Sequence, residues 1–138
     1  MKQIRGYIFS RPFLDERVPQ NVQNLVIREF CKKENLFYNL SASEYAMINC
    51  YKILNQLIHE LKNLDGIVAY SVFQLPENNE KRNKIFMQML KRKKIFYFAL
   101  ENLKLSKPKD LQKIENIWLI KKSLPSCLKN YWFMGVLK

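Results

Sequence analysis

Four short apolar runs, each followed by an amphipathic stretch at helical spacing, constrain this chain more than any other feature. The runs are Gly6-Tyr7-Ile8-Phe9, Leu36-Phe37-Tyr38-Asn39-Leu40, Ile67-Val68-Ala69-Tyr70-Ser71-Val72 and Ile95-Phe96-Tyr97-Phe98-Ala99-Leu100. Runs of this length, rich in aromatic and β-branched residues, read as strands, and the continuous ones are of the kind buried on both faces of a parallel sheet. The first helix is expected over 20–33, with Val22, Val26 and Phe30 on one stripe and Leu25 beside it. The second is expected to start after a Ser43 cap and to carry Met47, Cys50/Tyr51, Leu54, Leu57/Ile58 and Leu61 inward. In the third, Ile85/Phe86 and Met89/Leu90 face inward, while Lys81, Arg82, Lys84, Lys91 and Arg92 face outward. Ser106 and Pro108 open the fourth, Leu111, Ile114, Ile117 and Trp118 give its apolar face, and Pro125 is expected to close it.

Four strand-then-helix units call for right-handed crossovers and a parallel sheet with helices on both faces. The expected fold is therefore a three-layer α/β domain with a four-stranded, mainly parallel sheet. The small strand number favours the flavodoxin-like order 2-1-3-4. With 138 residues, 48% of them apolar, the chain is long enough for one sizeable core. Residues 1–125 are expected to form that domain. Residues 126–138 carry Tyr131, Trp132, Phe133 and Met134; a tail this apolar is expected to pack on the domain or in a subunit interface, with a homo-oligomer favoured.

Composition excludes several function classes. No apolar run reaches the roughly 18 residues of a membrane span, and the N-terminus lacks a cleavable leader pattern, so a cytoplasmic protein is expected. Cys31, Cys50 and Cys127 show no paired spacing and read as buried or inert thiols. His59 is the single histidine; it falls beside the second helix's stripe with no acid or nucleophile partner, so neither a zinc-type metal site nor a serine triad is expected. Three glycines, at 6, 66 and 135, build neither a P-loop nor a dinucleotide fingerprint, and no cofactor is expected. The net charge of +12 lies wholly in residues 81–138. Such asymmetry suits a polyanion-binding face. Because 18 of the 24 basic residues are lysines, solvated helix faces are the preferred reading, and nucleic acid is not the expected partner.

Chemistry-bearing residues gather where this topology puts its ligands, at the carboxyl edge of the sheet. Ser10, Arg11 and Arg17 follow the first strand, and Gln20 and Asn21 open the helix whose N-terminal amides favour an anion. Ser43, Glu44 and Tyr45 follow the second strand; Ser71, Gln74 and Glu77 follow the third. The expectation is an anion pocket with Arg11, Arg17, Gln20, Asn21, Ser43, Ser71 and Gln74 binding substrate. Ser10, Glu44, Tyr45 and Glu77 would act in catalysis, with the carboxylates as general acid or base. The alternative is that Arg11 and Arg17 pair with Asp15 and Glu16 inside their own loop.

Two resemblances attach to these residues. The strand and loop layout of 6–10, 20–24, 66–75 and 94–101 resembles the catalytic domain of serine recombinases (resolvases). In that family a serine at the end of the first strand attacks a DNA phosphate with the help of several arginines, and Ser10 matches it in place. Ile8 stands where the family has an arginine, and Phe73–Glu77 lack the family's Arg-Leu-x-Arg arginines. This resemblance therefore implies the fold and not strand scission. The segments 5–12, 18–28, 41–47 and 69–76 resemble the sporadic carbohydrate cluster proteins, a small bacterial family encoded among genes for surface polysaccharide or unusual sugars. That likeness implies a cytoplasmic role in carbohydrate biosynthesis and a sugar phosphate or nucleotide-activated sugar as partner. Whether the chain is an enzyme stays open. A scaffold or regulator of such a pathway is the second reading, and a nucleic-acid binder without cleavage activity is the third.

Overall fold

The computed structural model describes residues 1–13 and 17–131, with side chains through Ser123. Its centre is a sheet of five strands in the order β2-β1-β3-β4-β5. These are β1 (Gln3–Phe9), β2 (Phe37–Glu44), β3 (Gly66–Ala69), β4 (Ile95–Phe98) and β5 (Leu103–Leu105). The first four are parallel in the expected order 2-1-3-4, and β5 adds an antiparallel edge beside β4. The fifth strand was not expected; three residues are too few for a period to show in sequence.

Four helices complete the layers: α1 (Gln20–Lys33), α2 (Lys52–His59), α3 (Asn79–Lys91) and α4 (Asp110–Tyr131). Alternation along β4 shows which faces they cover. Tyr97 meets Phe30 of α1 on one face, and Phe98 meets Phe86 of α3 on the other. The core is rich in aromatic side chains, with Tyr7, Phe9, Phe13, Phe86, Phe96, Phe98 and Trp118 all buried among aliphatic ones.

Several expectations are corrected. Strand two runs to Glu44, so the stretch from Ser41 to Glu44 is strand rather than loop. The pairing with β1 slips between Arg5↔Asn39 and Tyr7↔Ala42, so one extra residue of β2 is accommodated as a bulge. Gly6 makes that bulge fit, because a Cβ there would collide with the Ser41 hydroxyl. Ser43 does not cap a helix: α2 starts nine residues later, and Met47 is exposed in the intervening loop. On α1 the buried stripe is Gln23, Ile27, Phe30 and Cys31, and Val22 and Leu25 are exposed. Arg82 of α3 is buried instead of outward, where it pairs with Glu115 at 2.6 Å and lies over the Trp118 ring. The fourth helix continues through Pro125 to Tyr131. The apolar residues Trp132, Phe133 and Met134 lie outside the described residues, as do Asp15 and Glu16. Among the described residues no helix is long and apolar enough to cross a membrane.

Candidate functional site

The carboxyl edge of the sheet divides the expected site residues into three groups. The first surrounds Ser10, half-buried at the end of β1. Arg17 donates from Nε to the Ser10 carbonyl at 3.1 Å, and its guanidinium is exposed. Gln20 donates from Nε2 to the Ser43 hydroxyl at 3.4 Å, tying the start of α1 to β2. Pro19 precedes α1 and provides no side-chain cap, so the amides of the first turn, exposed Asn21 among them, present their dipole to the same edge.

Arg11 and Glu44 form the second group, and both are buried. The Arg11 guanidinium lies between the rings of Phe9 and Tyr51, at 4.3 and 4.7 Å. Its Nη1 faces the carbonyls of Tyr45, Met47 and Cys50 at 3.2, 2.9 and 2.7 Å, closing the loop between β2 and α2. Its Nη2 is buried without a hydrogen bond among the described residues. Glu44 accepts from the Tyr7 hydroxyl at 2.9 Å and from the amides of Tyr45, Ile53 and Leu54. Its carboxylate thereby takes over the capping of α2. Burial, then the neighbouring Glu44 charge, raises the Tyr7 phenol well above its usual range, so Tyr7 stays a proton donor. Tyr45 itself is half-exposed, with its backbone in these contacts.

A buried relay forms the third group. Gln23 grips β1 by donating to the Phe9 and Val18 carbonyls, both at 2.8 Å. Gln74 donates to the Gln23 side-chain oxygen at 2.8 Å and accepts from the Ser71 amide. The Ser71 hydroxyl donates to Glu101 at 2.7 Å, and the Val72 amide donates to the other carboxylate oxygen. Gln23, Ser71 and Gln74 are completely buried. They bind the ends of β1, β3 and β4 to each other, and their polar atoms are occupied. Burial raises the Glu101 carboxyl above its ordinary value, and the Ser71 and Val72 hydrogen bonds offset part of that rise. Glu77 is exposed, and its carbonyl accepts from Arg82.

The structure therefore brings Ser10, Arg17, Gln20, Asn21 and Ser43 to one open edge and encloses Arg11, Glu44, Ser71 and Gln74. Sequence reasoning missed Gln23 as a buried anchor. The signal was its i, i+4, i+7, i+8 relation to Ile27, Phe30 and Cys31, hidden because a glutamine leads that stripe. Cys50 is half-buried with Sγ 4.0 Å from Glu44. Burial pushes the Cys31 thiol up to about 11, which keeps it protonated and unreactive. His59 is exposed and meets the Arg92 guanidinium at 3.0 Å.

No protein-family model and no curated protein matches the chain. Solved structures do. A resolvase family site-specific recombinase from Streptococcus pneumoniae superposes with a TM-score of 0.58 at 9% identity, covering 93% of this chain and 98% of that one. The N-terminal catalytic domain of TP901-1 integrase gives 0.52 at 12% identity, covering 91% and 97%. At these identities the likeness is one of fold: the chain has the mixed α/β architecture of resolvase-type catalytic domains.

Proposed function

We propose that this chain uses a resolvase-type sheet to hold the phosphate of a sugar phosphate or nucleotide-activated sugar in bacterial carbohydrate synthesis, and that it does not cut nucleic acid. The observation that carries the reading is the Arg17 guanidinium, anchored through Nε on the Ser10 carbonyl beside the uncapped start of α1. An arginine held this way retains its outer nitrogens for a bidentate grip on phosphate, and the helix amides add a second, fixed set of donors. Ser10, Gln20, Asn21 and Ser43 supply hydroxyl and amide groups at the same edge, suited to sugar hydroxyls. Among the described residues Arg17 is the one arginine offered at this corner. Arg11 is enclosed with its Nη1 on carbonyls, and Arg82 is held by carbonyls and Glu115, so the several arginines of a strand-cutting site are not assembled around Ser10. Ile8 is buried in the sheet. The carbohydrate part of this proposal rests on the resemblance of segments 5–12, 18–28, 41–47 and 69–76 to the sporadic carbohydrate cluster proteins.

Thermal denaturation in the presence of a sugar phosphate, a nucleotide sugar, the unphosphorylated sugar and a short DNA duplex tests this. A ligand of the native state stabilises it as RT ln(1 + [L]/Kd). The phosphorylated sugars should raise the midpoint, and Arg17→Lys should abolish most of the rise while leaving the unliganded midpoint unchanged. Stabilisation by DNA alone, falling steeply with salt as phosphate contacts do, would replace this reading with polyanion binding on the lysine-rich helices. Retention of the full sugar-phosphate effect by Arg17→Lys would remove Arg17 from the site.

A further inference from the structure

A cavity of about 860 Å³ opens at the opposite, amino edge of the sheet, between the end of α1 and the start of α4. We infer that it is a second ligand site, for a nucleoside monophosphate. It is independent of the reading above and shares no residue with it.

The volume lies within the range of about 300–1,000 Å³ typical of small-molecule sites. Phe30 and Tyr97, in edge-to-face contact at 5.9 Å, line it together with Leu103 and Ile114. These four residues offer an apolar floor to a flat ring. Lys2, Lys104 and Lys113 stand around it, and none of the three ammonium groups makes an ion pair or hydrogen bond among the described residues. The three exposed lysines come from the residue before β1, from β5 and from α4, and all three line this cavity.

The acids at the rim do different work. Asp65 accepts from the Gln3 amide at 2.7 Å. Asp110 accepts from the Ser106 and Lys107 amides, both at 3.0 Å, and from the Ser106 hydroxyl. Both are loop staples with much of their charge already met by backbone donors. Glu34 is the remaining carboxylate on the rim, and no hydrogen bond to it is made among the described residues. The arrangement thus offers an apolar floor, three cations for one anionic group, and one acceptor for a hydroxyl or amino donor. A nucleoside monophosphate has these three parts: a flat base, a single phosphate, and ribose hydroxyls or an exocyclic amine.

Isothermal titration of the intact chain with AMP, adenosine and inorganic phosphate tests the assignment. AMP should bind saturably, and adenosine and phosphate should each bind about tenfold more weakly or worse. The double variant Lys104→Glu/Lys113→Glu, at two exposed positions, should weaken AMP by at least about tenfold with an unchanged melting temperature. Arg17→Ala, at the other edge, should leave AMP affinity as it was. Absence of saturable AMP binding, phosphate binding as tightly as AMP, or indifference to the lysine reversals would overturn the inference. So would loss of AMP binding in Arg17→Ala, which would move the nucleotide to the carboxyl edge.

Discussion

Arg82 was expected outside with its lysine neighbours, yet it is among the most deeply buried side chains. One guanidinium satisfies the carbonyls of Pro76 and Glu77, the Asn79 side chain and both oxygens of Glu115. Nothing in a run such as Lys81-Arg82-Asn83-Lys84 marks which cation turns inward, because the partner Glu115 is 33 residues away. The same limit hid Glu44's role: its partners are the Tyr7 hydroxyl, 37 residues away, and three backbone amides, which carry no sequence signal. Two carboxylates at this scale give pH effects of opposite sign. Burial raises Glu101, so its ionised form is less favourable folded than unfolded. Its contribution therefore worsens as pH rises from the ordinary glutamate value through the raised folded one. Burial also acts upward on Asp110, but hydrogen bonds from Ser106 and Lys107 outweigh it and leave its carboxyl lowered. That stabilisation is fully present above the ordinary aspartate value and is lost as pH falls through the folded one. Denaturant titrations between neutral and acid pH should show Asp110→Asn flattening the acid loss. Glu101→Gln should remove the gain on mild acidification, and identical pH profiles for both variants and the parent would contradict these assignments.

Among the elements, the four parallel strands were legible as short continuous apolar runs and the crossover helices as amphipathic stretches following them. The extent of α1, Gln20–Lys33, is as expected even though its buried stripe is not, and Asn35 just beyond its end adopts a left-handed backbone. What misled was position rather than propensity. As an edge strand, β2 exposes Phe37 and Leu40, so its apolar residues mark no buried face, and its bulge shifts the alternation. The start of α2 was misplaced for a related reason: the exposed Met47 falls in helical register with Cys50, Tyr51 and Leu54. Close strand approach yields a sharper test at Gly66, paired with Ile95. A Cβ at Gly66 would meet the Ile95 carbonyl oxygen, which belongs to the backbone and cannot swing aside. Gly66→Ala should cost about 1–3 kcal/mol, the usual range for overpacking, as measured by urea unfolding. A loss no larger than that of an exposed-site control would show that β3 and β4 separate without penalty.

For the molecule as a whole, the topology places two kinds of surface at opposite ends of one sheet. At the carboxyl edge the chain has converted most of its polar inventory into structure. Arg11 holds a loop, Glu44 a helix, and Gln23, Gln74, Ser71 and Glu101 the strand ends. Sequence reasoning located this edge through loop order alone, but it treated every polar residue there as available. Separating the occupied from the open ones needs the three-dimensional partners, which lie as far as 51 residues apart along the relay. What stays open is the Ser10–Arg17 corner under the first turn of α1, and the functional reading stands on that corner. The most direct measurement is a proton–nitrogen correlation spectrum recorded while a sugar phosphate is titrated in. The account predicts that the largest shifts fall on the Arg17 Nε–H and on the amides of Asn21 and Val22, with the Arg11 Nε–H and the Gln74 side-chain amide unmoved. Shifts confined to the lysine-bearing helices α3 and α4, with the Arg17 and Asn21 signals unchanged at saturation, would contradict it.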